Sequence, residues 1–101
     1  MHAHNVYFAL KDNSSEAVER FIVDSKEYLA DIAGIKCFAS GVLETGLNRE
    51  VNDQNFDVSV HVLFESKEAH DAYQIDPLHD KFVARSEDNW AAVRVFDTAV
   101  R

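Results

Sequence analysis

The chain has 101 residues, 47% hydrophobic and 28% charged, a composition that fits one small globular domain and excludes a disordered chain. Its ten Lys and Arg residues are scattered among 18 Asp and Glu, giving a formal charge of −8 that argues against nucleic-acid binding and disfavours anionic membrane surfaces. Cys37 is the only cysteine, so no intrachain disulfide forms, and a cytoplasmic location is the natural expectation.

The N-terminal run Met1-His2-Ala3-His4 has no basic leader followed by an apolar stretch, so the mature chain is expected to begin at or near Met1. No segment approaches the roughly 20 apolar residues needed to span a bilayer. From residue 4 to residue 10, His4, Val6, Phe8 and Leu10 alternate with Asn5, Tyr7 and Ala9, the two-residue period of a strand. Asn13 followed by Glu16 resembles a capping box and predicts a helix running to about Ala33. Val18, Phe21, Ile22, Leu29 and Ile32 supply its apolar stripe, and Gly34 stands where a C-terminal cap belongs.

Ile35 to about Leu43 returns to extended character, with Cys37 expected to pack as a small hydrophobe. The polar stretch Glu44 to Asn55 predicts the longest loop, a candidate lid. Val58, Val60, Val62 and Phe64 alternate with Asp57, Ser59, His61 and Leu63 in the clearest strand of the chain. Ser66 is placed to cap a second helix over about Lys67 to Ile75. Pro77 then forces a bend, because it lacks a backbone donor and biases Asp76 away from helical geometry. A short helix with Leu78, Phe82 and Val83 follows, then a last strand over about Ala92 to Phe96, with Trp90 near its start.

The order β-α-β-β-α-β predicts an α+β, ferredoxin-like fold, a four-stranded antiparallel sheet with helices on one face and a single domain over residues 1–101. Its other face, carrying Asn5, Tyr7, Ala9, Ser59, His61 and Leu63, is too apolar to be left in water, and a homodimer pairing two sheets into a barrel would cover it.

The block Tyr73-x-x-x-Pro77-x-His79-x-x-Phe82, the opening strand His4-Asn-Val-Tyr-Phe-Ala-Leu-Lys11 and the strand end Phe64-Glu-Ser66 resemble the stress-responsive A/B barrel domain family over nearly the whole chain. The resemblance implies a dimeric α+β barrel. In a plant member that closes a polyketide ring without a cofactor, the corresponding tyrosine and histidine are the catalytic pair, and these match Tyr73 and His79. An early pocket histidine matches His4. A further pocket histidine of that enzyme has no counterpart, since Asp57 and Val58 occupy the place and His61 comes three positions later.

Tyr73 and His79 are thus the candidate acid and base, since imidazole titrates near neutrality and a phenol can donate a hydrogen bond while neutral. His4, Phe8, Phe21, Val60 and Phe82 are the candidate substrate-binding residues. The expected activity is binding of a small apolar or aromatic molecule between sheet and helices. Three alternatives stand beside it: a cofactor-independent cyclase or isomerase, a non-catalytic structural dimer, and a haem-degrading or quinol monooxygenase-like barrel. No cofactor is expected. The five histidines, at 2, 4, 61, 70 and 79, show no His-x-x-x-His pair, and Cys37 has no Cys-x-x-Cys partner, so no metal centre is expected either.

Overall fold

A computed structural model describes all 101 residues. The order is β1 (His2–Leu10), α1 (Ser15–Leu29), β2 (Ile35–Val42), β3 (Val58–Phe64), α2 (Lys67–Gln74), α3 (Pro77–Ser86), a 3-10 turn (Glu87–Asn89) and β4 (Trp90–Ala99). The strands form one sheet in the order β2-β3-β1-β4, with every neighbouring pair antiparallel. The β-α-β-β-α-β arrangement expected from the sequence is the arrangement observed.

Strand alternation decides which residues reach the core. Val6, Phe8 and Leu10 of β1 and Val58, Val60, Val62 and Phe64 of β3 are buried under the helices together with Phe21, Leu29, Ile32, Tyr73 and Phe82. Burial of each large side chain in this layer contributes about 1.5–3 kcal/mol. The register pairs Val6 with Val60 and Tyr7 with Ser59, so Asn5, Tyr7, Ser59 and His61 share the opposite face. Tyr7 meets Phe56, His61 and Phe96 there, edge to face, with ring centroids 4.9, 5.7 and 5.8 Å away.

The boundaries of α1 differ from expectation at both ends. Ser14, rather than Asn13, is the N-cap, its hydroxyl accepting from the Ala17 amide at 3.3 Å. The Asn13 side chain is instead turned toward Asp57, 3.3 Å away. The helix stops at Leu29 although the apolar spacing continues to Ile32, because the chain turns there through bonds from Ile32 N–H to the Leu29 carbonyl and from Ile35 N–H to the Ile32 carbonyl. Both apolar side chains stay buried through that turn. Gly34, at φ 91°, ends the turn just before β2, and α2 approaches so closely that a Cβ at this glycine would lie 2.6 Å from Cβ of Ala69.

Cys37 does not pack as expected. It is exposed, because its strand position pairs with Leu63 on the sheet face that carries no helix. The bond pair from Arg85 Nε and Nη2 to the Asp24 carboxylate, both 3.3 Å, ties α3 to α1.

Candidate functional site

The bend at Pro77 is built by Asp76. Its backbone is extended, at φ −69° and ψ 137°, and its carboxylate accepts from the Leu78 amide at 2.8 Å, capping α3 with Pro77 in the first turn. Tyr73 therefore lies in the last turn of α2 and His79 in the first turn of α3. Their rings meet edge to face with centroids 4.8 Å apart and an interplanar angle of 65°. His4, on β1, meets Tyr73 from the sheet side at 6.0 Å.

The three side chains share a cavity of about 190 Å³ between the helices and the sheet. Phe8, Val60 and Phe82 line it, as expected, together with Val6, Leu29, Gln74, Val83, Trp90, Val93 and Val95. Phe21 does not line it. That ring packs one layer away, 4.9 Å from Phe8 and 5.5 Å from Phe82, so it supports two wall residues from behind. Val93 and Val95 are 40% and 50% exposed, which puts the mouth at β4. The wall residues that sequence reasoning missed come from five different elements, and no single local pattern links them.

Burial governs the electrostatics of the pair. It pushes the Tyr73 phenol well above its ordinary range, so this group stays protonated and can only donate or accept a hydrogen bond. Burial also lowers the pKa of His79, with the nearby His4 and His70 rings acting in the same direction against a partial opposing pull from Asp80 and Asp76. A neutral His79 is a competent proton acceptor at neutral pH. Its Nδ1 is buried and has no hydrogen-bond partner. His4 is held below its usual range by burial, against the hydrogen bond from its Nδ1 to Asp97 Oδ1 at 2.6 Å.

The position where a further pocket histidine was missing is occupied structurally. Asp57 accepts from the Leu10 amide at 2.7 Å and closes the end of β1. His61 does not substitute, because it faces away from the cavity and bridges Ser59 Oγ at 2.9 Å and Asn5 Oδ1 at 2.8 Å. The long loop is not a lid over the pair. Leu47, Asn52, Asp53 and Gln54 from it border a separate depression of about 460 Å³ with Asn5, Tyr7 and Phe96 on the other sheet face, where Arg94 binds Asp53 at 2.6 Å.

Four side chains of metal-ligating type, from three elements distant in sequence, do come together. His2, His4, His70 and Asp97 bring one ligand atom each into a group within 4.8 Å of one another. Spacing within single elements could not reveal it, since α2 and β4 each contribute one residue.

The model of the stress responsive A/B barrel domain matches residues 3–100. No curated protein matches the chain. Among solved structures, a Dabb family protein with a ferredoxin-like fold from Mesorhizobium loti is 25% identical, with TM-score 0.81 over 99% of this chain and 96% of that one. A protein from Arabidopsis thaliana is also 25% identical, with TM-score 0.82 over 100% and 96%. A dimeric ferredoxin-like protein of unknown function from Thermobifida fusca has TM-score 0.81 at 22% identity, over 98% and 90%, a likeness of fold. With the strand order, the Pro77 bend and a family match across almost the entire sequence in agreement, the chain belongs to the stress-responsive A/B barrel domain family.

Proposed function

We propose that the chain binds a small aromatic or largely apolar molecule in the cavity beneath α2 and α3, with His79 as proton acceptor and Tyr73 as hydrogen-bond donor to it. The observation that carries this reading is the buried Nδ1 of His79, which has no protein partner. Buried polar atoms are almost always hydrogen-bonded, and the ring that carries this unpaired one lines the cavity, so a small rotation of the ring would let a ligand supply its partner. A polar substituent on the ligand supplies that partner while ten hydrophobic lining residues take up the ring.

Size narrows the ligand. A cavity of about 150 Å³ holds a benzene ring, so 190 Å³ suits one substituted ring and is small for an extended chain. If a reaction follows binding, the geometry favours removal of a proton from a carbon or hydroxyl by neutral His79, with Tyr73 stabilising the oxyanion that develops.

The reading includes a homodimer. The helix-free face of the sheet carries Tyr7, Phe56 and the 52% exposed Phe96, an aromatic patch that a second copy can cover by twofold pairing. The dimeric Thermobifida relative supports this use of the fold.

Trp90, the only tryptophan, borders the cavity and gives the test a built-in reporter. Titration with single-ring phenols and benzoic acids should quench or shift its emission and saturate at one molecule per chain. The same titration monitored by NMR should move the His79 ring resonances. Saturation without any change at His79 would overturn the assignment.

A further inference from the structure

At the start of β1, a second group of side chains converges that has only His4 in common with the proposed pocket. His2 Nε2 and His4 Nδ1 both lie on Asp97 Oδ1, at 2.9 and 2.6 Å, and His70 Nε2 stands 3.7 Å from the same oxygen. The His70 ring stacks on His2 at 4.4 Å between centroids and lies 4.8 Å from His4. The backbone creates this arrangement from three elements. His2 and His4 are two apart on one face of β1, His4 is paired in register with Asp97 on β4, and α2 lays His70 over both.

The distances fit a small cation. With metal–nitrogen and metal–oxygen bonds of about 2.0–2.2 Å, tetrahedral ligand atoms stand roughly 3.4 Å apart. The observed separations of 2.6, 2.9 and 3.7 Å from Asp97 Oδ1 bracket that value, and the ligand atoms all lie within 4.8 Å of one another, so binding needs side-chain rotations that draw the imidazoles inward. An imidazole-rich set with one carboxylate suits zinc and its first-row neighbours better than magnesium or calcium, which take oxygen ligands.

A separate observation concerns the ring that comes from α2. His70 Nδ1 lies 3.0 Å from Asp71 Oδ1, and Lys67 Nζ holds the other oxygen of that carboxylate at 2.8 Å. A carboxylate on one ring nitrogen fixes the tautomer and leaves the lone pair of the other nitrogen free, which is how metal-binding histidines are commonly oriented. Here that lone pair is on Nε2, the atom facing His2, His4 and Asp97, where the Gln74 side-chain amide approaches it at 3.5 Å and would give way to a cation. The imidazoles are mostly buried, with side-chain exposures of 11%, 7% and 14%, while Asp97 at 42% leaves a path by which a cation can enter from solvent.

From this geometry we infer that His2, His4, His70 and Asp97 form a mononuclear site for a divalent transition cation of the zinc class, with Asp71 orienting His70 from the second layer. The site pins the start of β1 to α2 and to the end of β4. It shares only His4 with the cavity, so metal binding and ligand binding are separately measurable.

The test uses tag-free, chelator-treated protein and Zn²⁺ in competition with a chromophoric chelator, with Co²⁺ as a spectroscopic stand-in. One Zn²⁺ per chain, a rise in melting temperature on loading and the intense visible bands of tetrahedral Co²⁺ are expected. His70→Ala and Asp97→Asn should each weaken Zn²⁺ by roughly a hundredfold or more, and the exposed second-layer change Asp71→Asn by about tenfold. His61→Ala, on the other sheet face, should leave the affinity unchanged and serves as the control. Circular dichroism of each variant separates lost ligation from lost folding. If His70→Ala and Asp71→Asn both bind Zn²⁺ as the parent does, only the His2-x-His4 pair chelates metal and the inference fails. It fails equally if no saturable one-to-one binding is found.

Discussion

Tyr73 meets His79 edge to face across the Pro77 bend, with 4.8 Å between ring centroids, and yet the buried Nδ1 of His79 has no hydrogen-bond partner. A packed core would not retain such an atom without cost, since an unsatisfied buried polar group is worth about 1–3 kcal/mol against folding. Stability and site chemistry therefore pull in opposite directions at this residue.

The clearest consequence concerns His79→Leu. The substitution removes the orphaned nitrogen and keeps apolar volume, so thermal unfolding should show an unchanged or slightly raised melting temperature. Binding of single-ring ligands that carry a polar group should fall at least tenfold in a Trp90 fluorescence titration. A drop in melting temperature of many degrees would mark His79 as a structural residue instead.

The pH dependence follows from the lowered pKa of His79, caused first by burial. In the unfolded chain the imidazole titrates near 6.5, and in the folded chain below that value. Between the two, the unfolded state binds more protons. The contribution of His79 to stability is thus fully present above pH 6.5 and is lost as pH falls through its folded pKa. Urea unfolding measured across this window should show a slope that His79→Leu reduces. Ligand binding that uses the neutral imidazole should fade over the same interval, and an NMR titration of the ring reports the midpoint directly.

Asp57 makes a prediction about folding rather than chemistry. Its carboxylate accepts from the Leu10 amide at 2.7 Å. Asp57→Ala leaves that donor without its partner and should cost about 1–3 kcal/mol in chemical denaturation. Ligand affinity should be preserved, because Asp57 does not line the cavity.

Gly34→Ala tests the approach of α2 to the start of β2. A side chain there must adopt φ 91° and place its Cβ 2.6 Å from that of Ala69. A loss of about 2 kcal/mol or more is expected from the combined strain and overpacking. For a domain of this size that amounts to roughly 10 °C in melting temperature.

The open sheet face is tested by Phe96→Asp. A carboxylate on a residue that is 52% exposed costs the isolated chain little, but it would be buried where two sheets meet. Sedimentation should show a homodimer for the parent and a shift toward monomer for the variant. Equal sedimentation of both proteins would remove this face as the interface.

Strict alternation made β3 readable apart from Asp57 at its start, since Val58 to Phe64 carries the two-residue period without interruption. The Pro77 bend was readable for a similarly local reason, as proline acts on its own backbone and on Asp76. The end of α1 was not, because Leu29 and Ile32 keep helical spacing through a turn that buries both. His79, Tyr73, His4, Phe8, Val60 and Phe82 were found as cavity residues through the family block and face alternation. Phe21 has the same character and the same inward direction but packs behind Phe8 and Phe82, a difference of depth that periodicity does not encode. Val93 and Val95 at the mouth, and the meeting of His70 with His2, His4 and Asp97, depend on how α2 and β4 lie across β1.

The valines at the mouth bear on how fast a ligand can come and go. Val93 and Val95 belong to an edge strand, and the long loop lies on the opposite side of the sheet. Entry at that edge requires side-chain rotation, which takes picoseconds to nanoseconds, with no closing segment of the microsecond-to-millisecond kind. Association should then follow diffusion and the width of the valine gap, and shortening the 44–55 loop should leave the on-rate unchanged.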